Sequence, residues 1–235
     1  MTRMMIVVVL CITAVAPGNA VAGDRYAFLV GVRNYDPASF VSLRYTEDDV
    51  TGLASALKRS GYDSSNVVLM KQSEGANNFK RLPLSKQIRD ELRLLLSELQ
   101  TDDTLIVAFS GHGVQFEGED TIYFCPMDAT LNDKKSLVSL TEVYGLLADE
   151  RLCKAGTKVL LVDACRNDPR SENLKKSGGL IELAPAGVGV PPEPPGGVVA
   201  FFSCSQNIKG VRPLCLIHRG NGLLDVLEGA SWIRD

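Results

Sequence analysis

The chain is short of several things that would announce a function. It has only two histidines, and none of its six cysteines forms a CxxC pair, so a structural zinc site has no ligands to draw on. No GxGxxG or GxxxxGK[ST] run is present, which removes the phosphate-cradling loops of nucleotide-binding folds. Basic residues do not outnumber acids: 25 Lys and Arg face 28 Asp and Glu, a formal net charge of -3. A chain so balanced carries no electrostatic footprint for nucleic acid or an anionic membrane. No dense acidic cluster demands calcium, so no cofactor is called for, and activation by calcium stays open. After residue 22 no apolar run is long enough to span a bilayer.

What is present reads as a globular chain with a leader. Hydrophobic residues make up 45% and charged residues 23%, an ordinary balance for one domain with a sizeable core. Residues 1–22 read as a signal peptide: Arg3, an apolar run from Met4 to Ala16, a Pro17-Gly18 break, and Ala20-Val21-Ala22 before the cut. The expectation is an exported protein, periplasmic or extracellular, with no membrane association once the leader is removed. Cys11 leaves with it, and the odd number that remains leaves at least one thiol unpaired within the chain. A Cys125–Cys153 bridge is compatible with export but is not fixed by the sequence.

The region that follows alternates strands and helices. Tyr26–Val32, Asn66–Lys71, Thr104–Phe109, Thr157–Val162 and Val198–Ser203 are short apolar runs and predict buried strands, with Thr121–Cys125 as a short extended piece. Thr46 reads as an N-cap, followed by acids in the first turn and by Val50, Leu53, Ala54 and Leu57 at helical spacing up to Gly61. Helices are also expected from Ser85, with Ile88, Leu92, Leu95, Leu96 and Leu99 inward, and over Ser139–Leu152. This order predicts an α/β fold with a mostly parallel central sheet covered by helices on both faces. Glu74–Pro83 reads as a loop, and so does the Pro- and Gly-rich stretch 168–197.

Parallel sheets place their sites at the carboxyl ends of strands. Two of those ends carry chemistry here. Thr104–Phe109 runs into Ser110-Gly111-His112-Gly113, and Thr157–Val162 runs into Asp163-Ala164-Cys165-Arg166. A thiol nucleophile needs a base to make thiolate and a pair of donors for the developing oxyanion. His112 and Cys165 fit as base and nucleophile, and the amides of Gly113 and Cys165 as the donors. The flanking glycines are expected to let the backbone turn sharply beside the imidazole. As bland alternatives, His112 is a loop histidine, Cys165 a buried thiol, and Asp163 a turn cap or a partner of Arg166. Asp48 and Asp49 read as helix-start acids, and His218 as a surface residue.

Ser110-Gly-His-Gly113, Asp163-Ala-Cys-Arg166 and Phe201-Phe-Ser-Cys-Ser205 together resemble the caspase-like cysteine peptidases of family C14, nearest the bacterial metacaspases or orthocaspases, over roughly residues 25 to 207. Histidine precedes cysteine by 53 positions, 112 to 165, close to the spacing of about 50 in the caspase signature. The resemblance implies a caspase-haemoglobinase fold of three α/β/α layers, a His/Cys dyad, and protein or peptide substrates. It implies a substrate pocket built partly from Asp163, Ser203 and Ser205. A carboxylate in place of the caspase glutamine selects Arg or Lys before the cut, Arg best through a paired contact. The long loop after Cys165 matches a segment that relatives cut on activation, with Arg166, Arg170, Lys175 and Lys176 as candidate points. Residues 208–235 depart from the family: only Leu223, Leu224, Leu227 and Trp232 form a short stripe, so the last strand and its covering helix are expected to be altered or incomplete. Such a loss would expose a sheet edge and an apolar face, and it leaves oligomeric state undetermined. Two further readings stand beside the peptidase. One is an inactive caspase-fold binding or adaptor protein, against which the retention of both His112 and Cys165 argues. The other is a flavodoxin-like regulator, against which the missing phosphate loop argues.

Overall fold

A computed structural model describes residues 23–116, 119–165 and 192–202. Strands are β1 (Arg25–Gly31), β2 (Val67–Met70), β3 (Thr104–Gln115), β4 (Ile122–Phe124), β5 (Val138–Ser139), β6 (Thr157–Cys165) and β7 (Val198–Phe202). Helices are α1 (Thr46–Arg59), the single turn α2 (Gln72–Gly75), α3 (Ser85–Glu98) and α4 (Leu140–Ala148). Five strands pair in parallel in the order β2-β1-β3-β6-β7, and β3 continues past that sheet to pair antiparallel with β4, which pairs with β5.

The alternation of the strands sorts the core into two layers, as the period of two demands. Ala27 and Leu29 of β1, with Ala108 and Leu161, meet Val50, Leu53, Ala54 and Leu57 of α1. Phe28 and Val30 point the other way, into Ile88, Leu92 and Leu96 of α3 and Leu140, Val143 and Leu147 of α4. Each Val, Leu, Ile or Phe among them, fully removed from water, contributes roughly 1.5–3 kcal/mol. This is the expected three-layer α/β/α arrangement. On the α1 side of β7, Val199 and Phe201 remain 53% and 36% exposed.

Several boundaries differ from expectation, each for a visible reason. Thr46 is the first residue of α1 rather than its cap: Tyr45 holds the cap position, and the Thr46 hydroxyl donates instead to the Val32 carbonyl at 2.8 Å. The start of α1 is thereby tied to the exit of β1. At the other end Gly61 adopts φ 93°, a left-handed geometry that suits glycine after a helix. Ser139 is the true cap of α4, its hydroxyl accepting from the Glu142 amide, and the helix stops at Ala148, short of Leu152. The expected loop 74–83 holds the end of α2 and a tight turn at Phe79–Arg81, which the Asn78 side chain caps. Residues 192–197 of the Pro/Gly stretch form a turn into β7, with the Val198 amide donating to Pro195. Cys125 and Cys153 are both buried free thiols, so the conceivable bridge between them is absent.

Candidate active site

The largest difference is at the carboxyl end of β3. The strand does not stop at Phe109. It runs through Ser110-Gly111-His112-Gly113 to Gln115, changing partner on the way. Up to His112 it lies against β6; from Gly113 it pairs with β4. No sharp turn occurs beside the imidazole, since among the described residues only Gly61 and Gly197 have positive φ. Gly111 is required for space instead. A Cβ there would lie 2.7 Å from the Tyr35 hydroxyl and 2.9 Å from Cε2 of Phe124. β6 also outruns its apolar core and continues to Cys165.

The two strand extensions stay in register. Ser110 stands opposite Asp163, and His112 stands opposite Cys165. Ordinary strand spacing sets such neighbours about 4.8 Å apart along the ladder. The site thus lies at the carboxyl ends of β3 and β6, next to β1, where the chain order of the parallel strands reverses.

The segment after β1 wraps the histidine. Its fold is local: the Asp36 carboxylate accepts from the Ala38 amide, the Asp36 carbonyl accepts from Ser39 and Phe40, and Leu43 donates back to Arg33. That geometry packs Phe40 along one side of the His112 ring, centroids 5.4 Å apart and 25° from parallel, and Tyr35 along another at 4.9 Å. It also sets the Val41 carbonyl 2.7 Å from Nε2 of His112. A carbonyl can only accept, so Nε2 carries the proton and Nδ1 is the basic nitrogen of the ring.

The backbone at His112 is fixed from the same side. Its amide donates to the Tyr35 hydroxyl at 3.0 Å, and its carbonyl accepts from the Cys125 amide at 2.9 Å. Gly113 and Phe124 are therefore a non-hydrogen-bonded pair of the antiparallel ladder. The Gly113 amide consequently points to the opposite edge of β3, the edge that faces β6.

Asp163 is half-buried, while Ser110 beside it is fully buried with its hydroxyl lacking a hydrogen-bond partner. Asp48 and Asp49 do lie in the first turn of α1, as expected. Asp48 is exposed and pairs with Arg33 at 3.2 Å, whereas Asp49 is buried. Ser203, Ser205, His218, the basic residues at 166, 170, 175 and 176, and the stripe at 223–232 lie outside the described residues. Among the described residues no three His, Cys, Asp or Glu side chains converge as metal ligands would. Tyr35, Phe40 and Val41 are additions that the motif reading passed over. The signal for them was an aromatic pair in a polar loop directly after a buried strand.

A caspase-domain family model matches residues 24–210. Metacaspase-3 of Arabidopsis thaliana is 30% identical over 155 residues, 62% of this chain and 40% of that protein. Metacaspase-1 of Schizosaccharomyces pombe is 30% identical over 99 residues, 42% of this chain and 22% of its own. The chain thus spans less than half the length of these curated relatives. A Geobacter sulfurreducens protein known from its crystal structure superposes with a TM-score of 0.47 at 17% identity, over 66% of this chain and 55% of that one. The family match takes in both strand ends that carry His112 and Cys165, and by it the chain belongs to the caspase-domain family of cysteine peptidases, C14.

Proposed function

We propose that the chain is an exported cysteine endopeptidase that cuts after Arg or Lys, with His112 and Cys165 as its catalytic pair. One observation carries this reading: the two residues are register partners at the carboxyl ends of adjacent parallel strands. Nδ1 of His112 takes the thiol proton, and the Cys165 thiolate attacks the scissile carbonyl. The proton then passes to the leaving amine, the C–N bond breaks, and water hydrolyses the thioester. The Val41 carbonyl supports this by holding the imidazole in the Nε2–H tautomer. The direction of the Gly113 amide suits it to the oxyanion, with the Cys165 amide as second donor.

Asp163 is the selector in this reading. A half-buried carboxylate one pleat before the nucleophile attracts a guanidinium or ammonium on the residue before the cut. Ser203 and Ser205 complete the pocket, and the basic residues of the 166–176 stretch are self-cleavage points. Export follows from the leader at residues 1–22.

The test is covalent labelling with a peptidyl-Arg acyloxymethyl ketone, with and without calcium. Labelling that disappears in Cys165→Ala supports the reading. Labelling that survives the substitution, or none under any condition, overturns it in favour of a binding protein built on the same fold. Mass spectrometry of the same samples reads the leader cut and the loop cuts.

A further inference from the structure

Resting on the reading of His112 as the base, we propose that Tyr35 is a positioning residue for catalysis: its hydroxyl locks β3 at the residue that carries the imidazole.

The place where Tyr35 acts is a weak point of the fold. At His112 the strand leaves the parallel sheet and enters the antiparallel one. Backbone groups at such a junction lack a regular ladder partner on one side. The Tyr35 hydroxyl supplies it, accepting from the His112 amide at 3.0 Å and donating to the Cys125 carbonyl at 3.2 Å. One hydroxyl therefore bridges β3 to the end of β4, under the histidine. It uses both of its hydrogen-bonding roles there, and it is almost fully buried. The same ring lies against the imidazole at 4.9 Å and against Phe40 at 5.3 Å. Backbone and side chain of His112 are thus held by one residue from another strand's exit.

Gly111 points to the same assignment independently. It occupies ordinary strand conformation, so conformational freedom does not explain a glycine there. Its missing side chain leaves the room in which the Tyr35 hydroxyl sits, since a Cβ would approach that oxygen to 2.7 Å. The glycine before the histidine and the tyrosine 77 positions earlier form one device.

The experiment compares wild type with Tyr35→Phe, and with Tyr144→Phe as control, whose buried hydroxyl has no partner. Two readouts are used. Steady-state hydrolysis of an Arg peptide should show kcat lowered about 10- to 100-fold in Tyr35→Phe with KM within about twofold, and both unchanged in Tyr144→Phe. Long-range nitrogen–proton spectra of the imidazoles, with His218 assigned by substitution, should show one Nε2–H tautomer for His112 in wild type and a mixture in Tyr35→Phe. Wild-type kcat together with an unchanged tautomer in Tyr35→Phe overturns the proposal. If wild type hydrolyses nothing, the peptidase reading fails, and the spectra alone decide the positioning role. If Tyr35→Phe does not fold, p-aminophenylalanine at position 35 replaces it. That group donates to the Cys125 carbonyl but accepts poorly from the His112 amide, and the same two outcomes decide.

Discussion

His112 and Cys165 are register partners across β3 and β6, the last pair of that ladder among the described residues. The parallel ladder that sets this pair is the same one that builds the core, so both residues are placed by the sheet. His112→Ala should therefore remove activity without unfolding the protein. Loss of a base that makes the thiolate predicts a fall in kcat/KM of about 10³-fold or more. Alkylation of Cys165 by iodoacetamide near pH 7 should slow in parallel, while the melting temperature moves little. Equal alkylation rates in the two proteins would show that the imidazole does not act on the thiol.

Asp163 precedes Cys165 by two positions on β6 and stands beside the buried Ser110. Removing its charge while keeping its shape isolates the electrostatic part of selection. Asp163→Asn should lower kcat/KM for Arg peptides by about 10²-fold, the scale of a lost charge-assisted pair, chiefly through KM. Norleucine peptides, which keep the apolar stem, should change by less than about threefold. A matched loss on both would mean that Asp163 supports the fold and does not choose the substrate.

The parts of this picture that the sequence displayed are those with period and composition. The parallel strands were visible as apolar runs, and α1 and α3 as helical stripes, because burial selects those residue types. The ends of β3 and β6 were not visible. Ser110-Gly-His-Gly113 has no strand composition, and it stays extended because β6 on one side and then β4 on the other hold it. Thr46 looked like a cap from its type alone, and only the neighbouring Val32 carbonyl reveals why it is helical. His112 and Cys165 were legible as motif residues. Tyr35 and Val41 were not, since their contacts to His112 span 77 and 71 positions.

The partnership of α3 and α4 makes a separate stability prediction. Arg89 bonds both carboxylate oxygens of Glu142 at 2.9 and 3.0 Å, and it donates to the Leu137 carbonyl at 2.6 Å. Because the pair is three-quarters covered, Arg89→Ala should cost about 1–3 kcal/mol, more than an exposed ion pair. Leu96→Ala, which opens a cavity where α3 meets the sheet, should cost about 2–5 kcal/mol. Urea denaturation of the two variants, with constant m-values, checks both. A loss below 0.5 kcal/mol, on the order of a surface pair, would show that Arg89 adds nothing beyond its exposed neighbour Arg93.

Alkaline conditions should weaken the fold through its buried thiols and phenol. Burial holds the Cys125 thiol far above its ordinary value of 9.0, and the Tyr35 phenol far above 10.0. In the unfolded chain both groups ionise near those ordinary values, whereas in the folded protein they keep their protons. Below about pH 8.5 neither state loses a proton and the groups contribute no pH dependence. Above it the unfolded chain binds fewer protons than the native one, so stability falls as pH rises, first through Cys125 and Cys153, whose thiol burial also pushes up, and then through Tyr35. The slope approaches about 1.4 kcal/mol per pH unit for each group fully ionised only when unfolded. Urea midpoints measured from pH 7.5 to 10.5 should stay level up to about 8.5 and then decline. Replacing both buried thiols, Cys125→Ala with Cys153→Ala, should delay the onset by about one unit, to where the Tyr35 phenol begins to ionise in the unfolded chain, even though the cavities lower the plateau. A decline that starts at the same pH in the variant would place the sensitivity elsewhere in the molecule.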